Sequence, residues 1–105
     1  MRIAVPSMGE EKESDLSSTL GRCRFIIVYD SDSRKYSSVP NSGNSLMDGS
    51  GIKAVEVITK SHADILLTKG IGVKAYSALA REHITVLLIN AVSSVDEAVK
   101  NYLKK

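Results

Sequence analysis

The stretch that indicates the fold is DILLTKGIGVKAYSALAREHITVLLI, residues 64–89. It holds two apolar runs typical of buried strands, residues 65–67 and 84–89, separated by a glycine turn and a helical pattern. This order is that of a β-α-β unit, whose two strands are parallel and whose crossover is right-handed. The stretch therefore predicts an α/β protein. The apolar positions that recur at helical spacing between the runs are Val73, Tyr76, Leu79 and Ala80.

Outside this unit the sequence predicts further strands and helices on both sides. The strands cover residues 3–5, closed by Pro6, residues 25–29, and residues 34–39, which end at Pro40 and have the polar profile of a sheet edge. One helix is predicted from Ile52 to about Ser61, and another follows a capping box formed by Ser94 and Glu97. The order β-β-β-α-β-α-β-α favours a three-layer α/β/α protein with a mixed five-stranded sheet in the order 3-2-1-4-5, strand 2 being antiparallel.

Composition narrows the class of protein. A chain of 105 residues with 43% apolar and 25% charged residues predicts a single globular domain over residues 1–105. The net charge of +2 is too small to attract nucleic acid or a membrane by itself. One cysteine and two histidines exclude an internal disulfide and a closed four-ligand zinc site. With no apolar run near the ~20 residues that cross a bilayer and no signal-peptide stretch, we expect a cytoplasmic protein.

Two glycine-containing turns are the first candidate binding elements. Gly49 and Gly51 precede one helix, Gly70 and Gly72 precede the next, and the topology places both turns at the edge where the parallel strands end. Backbone amides at a helix N-terminus attract anions, so each turn is a candidate anion seat. The alternative is that the glycines only make tight turns. The polar residues 7–20 are expected to form a mobile cover at the same edge.

Cys23 is the second candidate, because Arg22 precedes it and a neighbouring guanidinium favours the thiolate, the form that binds metals. The alternative is a small apolar filler of the core. His62 and His83 follow helices that return to the opposite edge, so neither is expected to reach Cys23. The carboxylates form no cluster, and no histidine is placed to activate a serine. No catalytic residue is predicted.

Four segments, in this order, resemble the dinitrogenase iron-molybdenum cofactor biosynthesis family. They are residues 3–7, residues 20–30, residues 63–75 with Leu79, and residues 94–98, and the resemblance extends from about Arg2 to Leu103.

The resemblance implies a ribonuclease H-like α/β/α fold without nuclease residues. It also implies a small stand-alone carrier or scaffold for an anionic metal–sulfur cluster, such as an iron–sulfur or molybdenum-containing cofactor precursor. Gly21, Arg22 and Cys23 match the family's motif at the start of strand 2, and Gly70 and Gly72 match its glycine turn. Leu20 stands where an aromatic residue is common, and Val73 stands where proline is common.

The resulting hypothesis is a non-catalytic carrier that holds such a cluster at Gly21, Arg22, Cys23, Gly49, Gly51, Gly70 and Gly72, with Cys23 as metal ligand. Its expected partners are the cluster and a protein that donates or accepts it, and the chain is expected to be a monomer or a weak homodimer. Two alternatives remain: a protein-interaction adaptor without a metal ligand, pairing through the edge strand at residues 34–39, and a small phosphate-ligand binder.

Overall fold

Strands and helices follow one another in the predicted order. The computed structural model describes residues 1–41, 50–90 and 93–104. The strands are β1 (Arg2–Ser7), β2 (Phe25–Asp30), β3 (Lys35–Pro40), β4 (Ile65–Thr68) and β5 (Thr85–Leu88). The helices are α1 (Ser50–Lys60), α2 (Val73–Arg81) and α3 (Val95–Leu103). None of the helices in these ranges has the length and apolar character needed to span a membrane.

The sheet has the predicted order, β3-β2-β1-β4-β5. β2 is antiparallel to both β1 and β3, whereas β4 is parallel to β1 and to β5. The register of the central pair aligns Val5 with Ile27 and Ala4 with Val28. The mixed five-stranded sheet is therefore confirmed.

Helices cover both faces of the sheet, because side chains alternate along the central strands. Ala4, Ile26 and Leu66 point to one face and pack with α1 and α2. Ile3, Val5 and Ile27 point to the other face and pack with α3. The result is the three-layer α/β/α arrangement that the sequence predicts.

Two strand predictions need correction. β1 does not close at Pro6, which lies inside the strand opposite Ile26. Only Ile3 and Ala4 of β1 pair with β4. Pro6, which has no N–H, therefore lies beyond the part of β1 that pairs with β4. β5 is not buried: Leu87 is 37% exposed and Leu88 is 69% exposed, because this strand lies at the edge of the sheet.

The predicted apolar face of α2 also differs from the observed one. Val73 and Tyr76 are 82% and 52% exposed, whereas Ala75 and Leu79 are buried. α2 lies over the end of the sheet and packs on β5 and α1, so that only a narrow stripe of it is covered. Ala78 is partly buried against the same core, whereas Val73 and Tyr76 have no covering layer among the described residues.

The segment between β1 and β2 is held to α3 along much of its length. The Leu16 N–H donates to the carbonyl of Ser93, and the N–H groups of Val95 and Asp96 donate to the carbonyls of Ser14 and Lys12. Leu16 itself is buried in the core. The segment predicted as a mobile cover thus packs mainly on α3, and only its last part reaches the candidate site.

Helix α3 begins with a cap that differs in one bond from the predicted capping box. The Ser94 hydroxyl accepts a hydrogen bond from the Glu97 N–H at 3.2 Å, as predicted. The Glu97 carboxylate accepts from the N–H and hydroxyl of Ser93, at 3.1 and 2.9 Å, instead of from Ser94. These bonds hold the pKa of Glu97 below its usual value.

Candidate anion-binding cleft

A cleft of about 490 Å³ opens where the parallel strands end. Its walls are residues 19–22, which lead into β2, residues 50–52 at the start of α1, and residues 72–75 at the start of α2. Three segments that are distant in sequence therefore meet at one place. Of the predicted site residues, Gly21, Arg22, Gly51 and Gly72 line this cleft.

Glycine is required where the first wall meets α1. A Cβ atom added to Gly21 would lie 2.6 Å from the Ser50 hydroxyl and 3.0 Å from the backbone nitrogen of Gly51. On the other side, a Cβ atom on Gly51 would meet the Cβ of Ala75 at 3.4 Å, an ordinary contact. The first turns of α1 and α2 are thus close neighbours, and the loop at Gly21 packs directly on one of them.

The first turns of α1 and α2 give the cleft a positive potential. Gly72 caps α2 without any side-chain hydrogen bond, and neither α1 nor α2 has an acidic residue in its first turn. The first amides of a helix have no intrahelical acceptor and carry part of the positive end of the helix dipole. Arg22 and Lys74 add cationic side chains to the lining, and none of the described lining residues is acidic.

Two of the predicted glycines lie elsewhere. Gly70 does not line the cleft; a Cβ atom there would lie 2.8 Å from the carbonyl oxygen of Ser18. Its own carbonyl accepts a hydrogen bond from the Thr68 hydroxyl at 3.0 Å. Gly70 thus permits the close approach of two loops behind the cleft. Gly49 lies outside the described residues, so its place in the site stays a prediction.

Cys23 lies in the core and not in the cleft lining. Its side chain is fully buried in the cluster beneath α1 and α2. Burial raises the pKa of the thiol from 9.0 to about 11, although the side-chain amide of Asn41 lies 3.5 Å from its sulfur. The thiol is therefore protonated at neutral pH. The role of Cys23 as a metal ligand stays a prediction, and its position matches the alternative of a core filler.

Some features of the site were not predicted from the sequence. Asn41, at the end of β3, is 2% exposed, and its amide donates to the carbonyl of Cys23 at 2.9 Å and to that of Gly21 at 3.3 Å. This side chain holds the loop that forms one wall of the cleft. Ile52 and Val73, both exposed, form an apolar rim. The sequence signal that could have indicated this rim is an apolar residue in the first turn of each helix, where packing on the core is usually incomplete.

The arrangement of ligating side chains does not suit a bare metal ion. Within residues 1–41, 50–90 and 93–104, no three of the His, Cys, Asp and Glu side chains come close enough together to hold one. His62 and His83 are exposed and follow α1 and α2 with left-handed backbones, φ 58° and 60°. Both lie at the opposite edge of the sheet, as predicted.

Comparison with known proteins identifies relatives of this arrangement. The family model described as dinitrogenase iron-molybdenum cofactor matches residues 1–105. The apo form of the orange protein from Desulfovibrio gigas is 33% identical, with a TM-score of 0.92 over 98% of this chain and 87% of that chain. A Thermotoga protein described as NifB is 25% identical, with a TM-score of 0.86 over 98% and 87% of the two chains. No curated protein sequence matches the chain.

Proposed function

We propose, because the chain belongs to the dinitrogenase iron-molybdenum cofactor family, that it carries an anionic metal–sulfur cluster in this cleft. The cargo is an iron–sulfur or molybdenum-containing cofactor precursor, which the protein receives from one protein and delivers to another. It holds the cluster without catalysing a reaction. The name of the Desulfovibrio gigas relative, an apo form, supports a protein that exists with and without a bound group.

The observation that carries the proposal is the meeting of the first turns of α1 and α2 with Arg22 and Lys74 in a cleft whose described lining residues include no carboxylate. Each helix end contributes about half a positive charge, which stabilises an anion and repels a bare cation. The described residues hold no set of metal-ligating side chains, which favours a cargo whose metals are already ligated by sulfide. A preformed anionic cluster satisfies both conditions.

The lining residues have distinct roles in such binding. The backbone amides of Gly51 and of the first turn of α2 donate to the sulfide or oxide ligands of the cluster. Arg22 and Lys74 neutralise its charge. The exposed Ile52 and Val73 cover the part of the cluster surface that is poorly hydrated.

In this proposal Cys23 packs in the core beneath the cleft and does not ligate the cluster. Its thiol is buried and protonated, so ligation would require loss of the proton and movement of the strand end. Replacement of Cys23 by alanine therefore leaves loading nearly unchanged. This outcome distinguishes the proposal from a carrier in which Cys23 ligates one metal.

The test is anaerobic reconstitution with iron, sulfide and molybdate, followed by desalting, absorbance and metal analysis. The wild type should retain coloured metal in a fixed stoichiometry. The double variant Arg22→Gln, Lys74→Gln should bind at least about tenfold more weakly, since each charge-assisted hydrogen bond contributes roughly 1.5–3 kcal/mol. Lys60→Gln, in the exposed last turn of α1, is the matched control and should behave as the wild type.

The other outcomes identify the alternatives. If no variant retains metal but inorganic phosphate binds and the double variant abolishes that binding, the cleft is a phosphate site. If neither metal nor phosphate binds, the carrier proposal is wrong and an adaptor role remains. Loss of loading in Cys23→Ala with full loading in the double variant would move the site to the thiol.

A further inference from the structure

The two edges of the sheet differ in how they are protected. β3, at one edge, begins with Lys35 and ends with Pro40, which has no N–H to donate. Three glutamates and one lysine border a hollow beside the middle of this strand, which leaves a net negative charge there: Glu10, Glu11, Lys12 and Glu13. A second strand that approached β3 would therefore meet negative charge and an interrupted ladder.

β5, at the other edge, has none of these features. Residues 84–90 contain no charged residue and no proline. The N–H groups of Thr85 and Ile89 donate to the carbonyls of Asp64 and Thr68 on the β4 side. Because donors alternate along a strand, the N–H groups of Val86 and Leu88 point to the free edge. The edge is an uncharged template for another strand.

Exposed apolar side chains flank this edge on the side of α2. Leu88 lies on the same face of the sheet as Val86, which packs against the core beneath α2. Lys74 lines the cleft between α1 and α2, and Tyr76 is about 200° further around the helix, on the opposite flank. Tyr76 and Leu88, 52% and 69% exposed, therefore lie on the outer side over the edge.

We propose that β5 pairs antiparallel with β5 of a second copy of this chain, which gives a twofold dimer with one continuous sheet. The occupant is a second copy because this edge matches itself: two uncharged strands meet without an unpaired charge, and Leu88 meets apolar residues of the same kind. The two α2 helices then also run antiparallel, so that the positive end of each dipole lies near the negative end of the other.

The protected edge explains why such an assembly ends at two copies. The continuous sheet has only β3 edges left at its two ends, and each is guarded by Lys35, Pro40 and the acidic segment. The interaction closes instead of propagating into a fibre. Antiparallel pairing also reverses the strand direction between the two copies, so the two clefts lie at opposite strand ends of the shared sheet. Each copy therefore binds its ligand independently.

The exposed apolar surface indicates a weak dimer. Tyr76 and Leu88, each with at most ~200 Å² of surface, and one short strand edge together fall short of the ~800 Å² per partner of a standard interface. Sedimentation equilibrium from about 10 μM to about 1 mM should therefore show reversible dimerisation within that range.

The matched variants place a lysine on β5 in one protein and on β3 in another, and a third variant removes an apolar side chain of α2. Leu88→Lys and, separately, Tyr76→Ser should weaken dimerisation at least about tenfold, whereas Ser37→Lys on the outer side of β3 should leave it unchanged. All three positions are exposed, and circular dichroism checks that each variant folds. In the wild type, amide hydrogen exchange at Val86 and Leu88 should slow as concentration rises.

Three results would overturn the proposal: a wild type that stays monomeric at ~1 mM, a dimer that Ser37→Lys dissociates and Leu88→Lys does not, or exchange at Val86 and Leu88 that is independent of concentration. The proposal is independent of the ligand in the cleft, because the proteins are compared without metal or sulfide.

Discussion

Replacing Gly21 by alanine tests whether the loop at residues 19–22 packs on α1 as closely as the structure indicates. The new Cβ atom would lie 2.6 Å from the Ser50 hydroxyl, 3.0 Å from the Gly51 nitrogen and 3.2 Å from the Ser50 carbonyl carbon. The hydroxyl can rotate away, but the other two atoms belong to the backbone of α1. The variant must therefore separate the loop from the helix by a few tenths of an ångström.

The expected cost follows from these contacts. Inserting a methyl group into a packed contact costs roughly 1–3 kcal/mol, and the backbone of Gly21 is not left-handed, so no conformational strain is added. Loss of chain entropy in the unfolded state offsets about 0.4–1 kcal/mol. The net destabilisation is about 1 kcal/mol, which lowers the Tm by roughly 5 °C for a chain of this size.

Gly72→Ala is the matched control, because a Cβ atom there would meet nothing within 4 Å. Its stability should stay within about 0.5 kcal/mol of the wild type in urea unfolding followed by circular dichroism. The double variant Gly21→Ala, Ser50→Ala should recover only part of the loss, since the backbone contacts remain. Equal stabilities for Gly21→Ala and Gly72→Ala would refute the close contact.

Two further predictions concern titratable groups. Because burial raises the pKa of Cys23 from 9.0 to about 11, the unfolded state loses its thiol proton first as the pH rises. The wild type should thus lose up to roughly 2–3 kcal/mol relative to Cys23→Ala between pH 9 and 11, and parallel urea-unfolding curves against pH would contradict this. Tyr36→Phe removes a 2.9 Å hydrogen bond to the Asp96 carboxylate and should cost about 1 kcal/mol at pH 7. Lys100 first, and then Tyr36, hold the pKa of Asp96 below its usual value, so this difference should shrink in acid as Asp96 is protonated, and a pH-independent difference would show that the bond contributes little.

The sheet topology could be predicted because the rules for connections between strands depend on the order of strands and helices along the chain. The apolar run at residues 65–67, the glycine turn and the following helix form a right-handed parallel unit wherever they occur. The order 3-2-1-4-5 also placed strand 5 at an edge, but the apolar residues 84–89 suggested a buried strand. Among the described residues no strand pairs with the outer side of β5, so Leu87 and Leu88 are exposed.

The site could be predicted in outline, since both glycine turns lie at the predicted edge. The relation between Arg22 and Cys23 could not. Both residues lie in the turn before β2, where the exposed Arg22 lines the cleft while Cys23 enters the core. Sequence adjacency suggested an activated thiolate, whereas this turn places the two side chains in different surroundings.

Gly21 and Gly70 show a second limit of prediction from the sequence. Both belong to glycine-containing turns, and both lie where a Cβ atom would collide with a neighbour. Only Gly21 borders the cleft, because its neighbour is the first turn of α1, whereas Gly70 lies against the carbonyl of Ser18. These partners are distant in sequence, so no local pattern distinguishes a glycine that shapes a site from one that lets two loops approach.

The third helix explains why the cleft lies beside α1 and α2 and not beside α3, although all three helices begin where the parallel strands end. The N-terminus of α3 is closed by the chain itself. The N–H groups of Val95 and Asp96 donate to carbonyls of the segment between β1 and β2, and the Ser94 hydroxyl accepts from the Glu97 N–H. Asp96 and Glu97 also place carboxylates in its first turn, where they neutralise the helix dipole. The first turns of α1 and α2 have no such carboxylates. An anion that approaches this end of the sheet is therefore repelled on the α3 side and attracted on the side of α1 and α2, where Arg22 and Lys74 add positive charge.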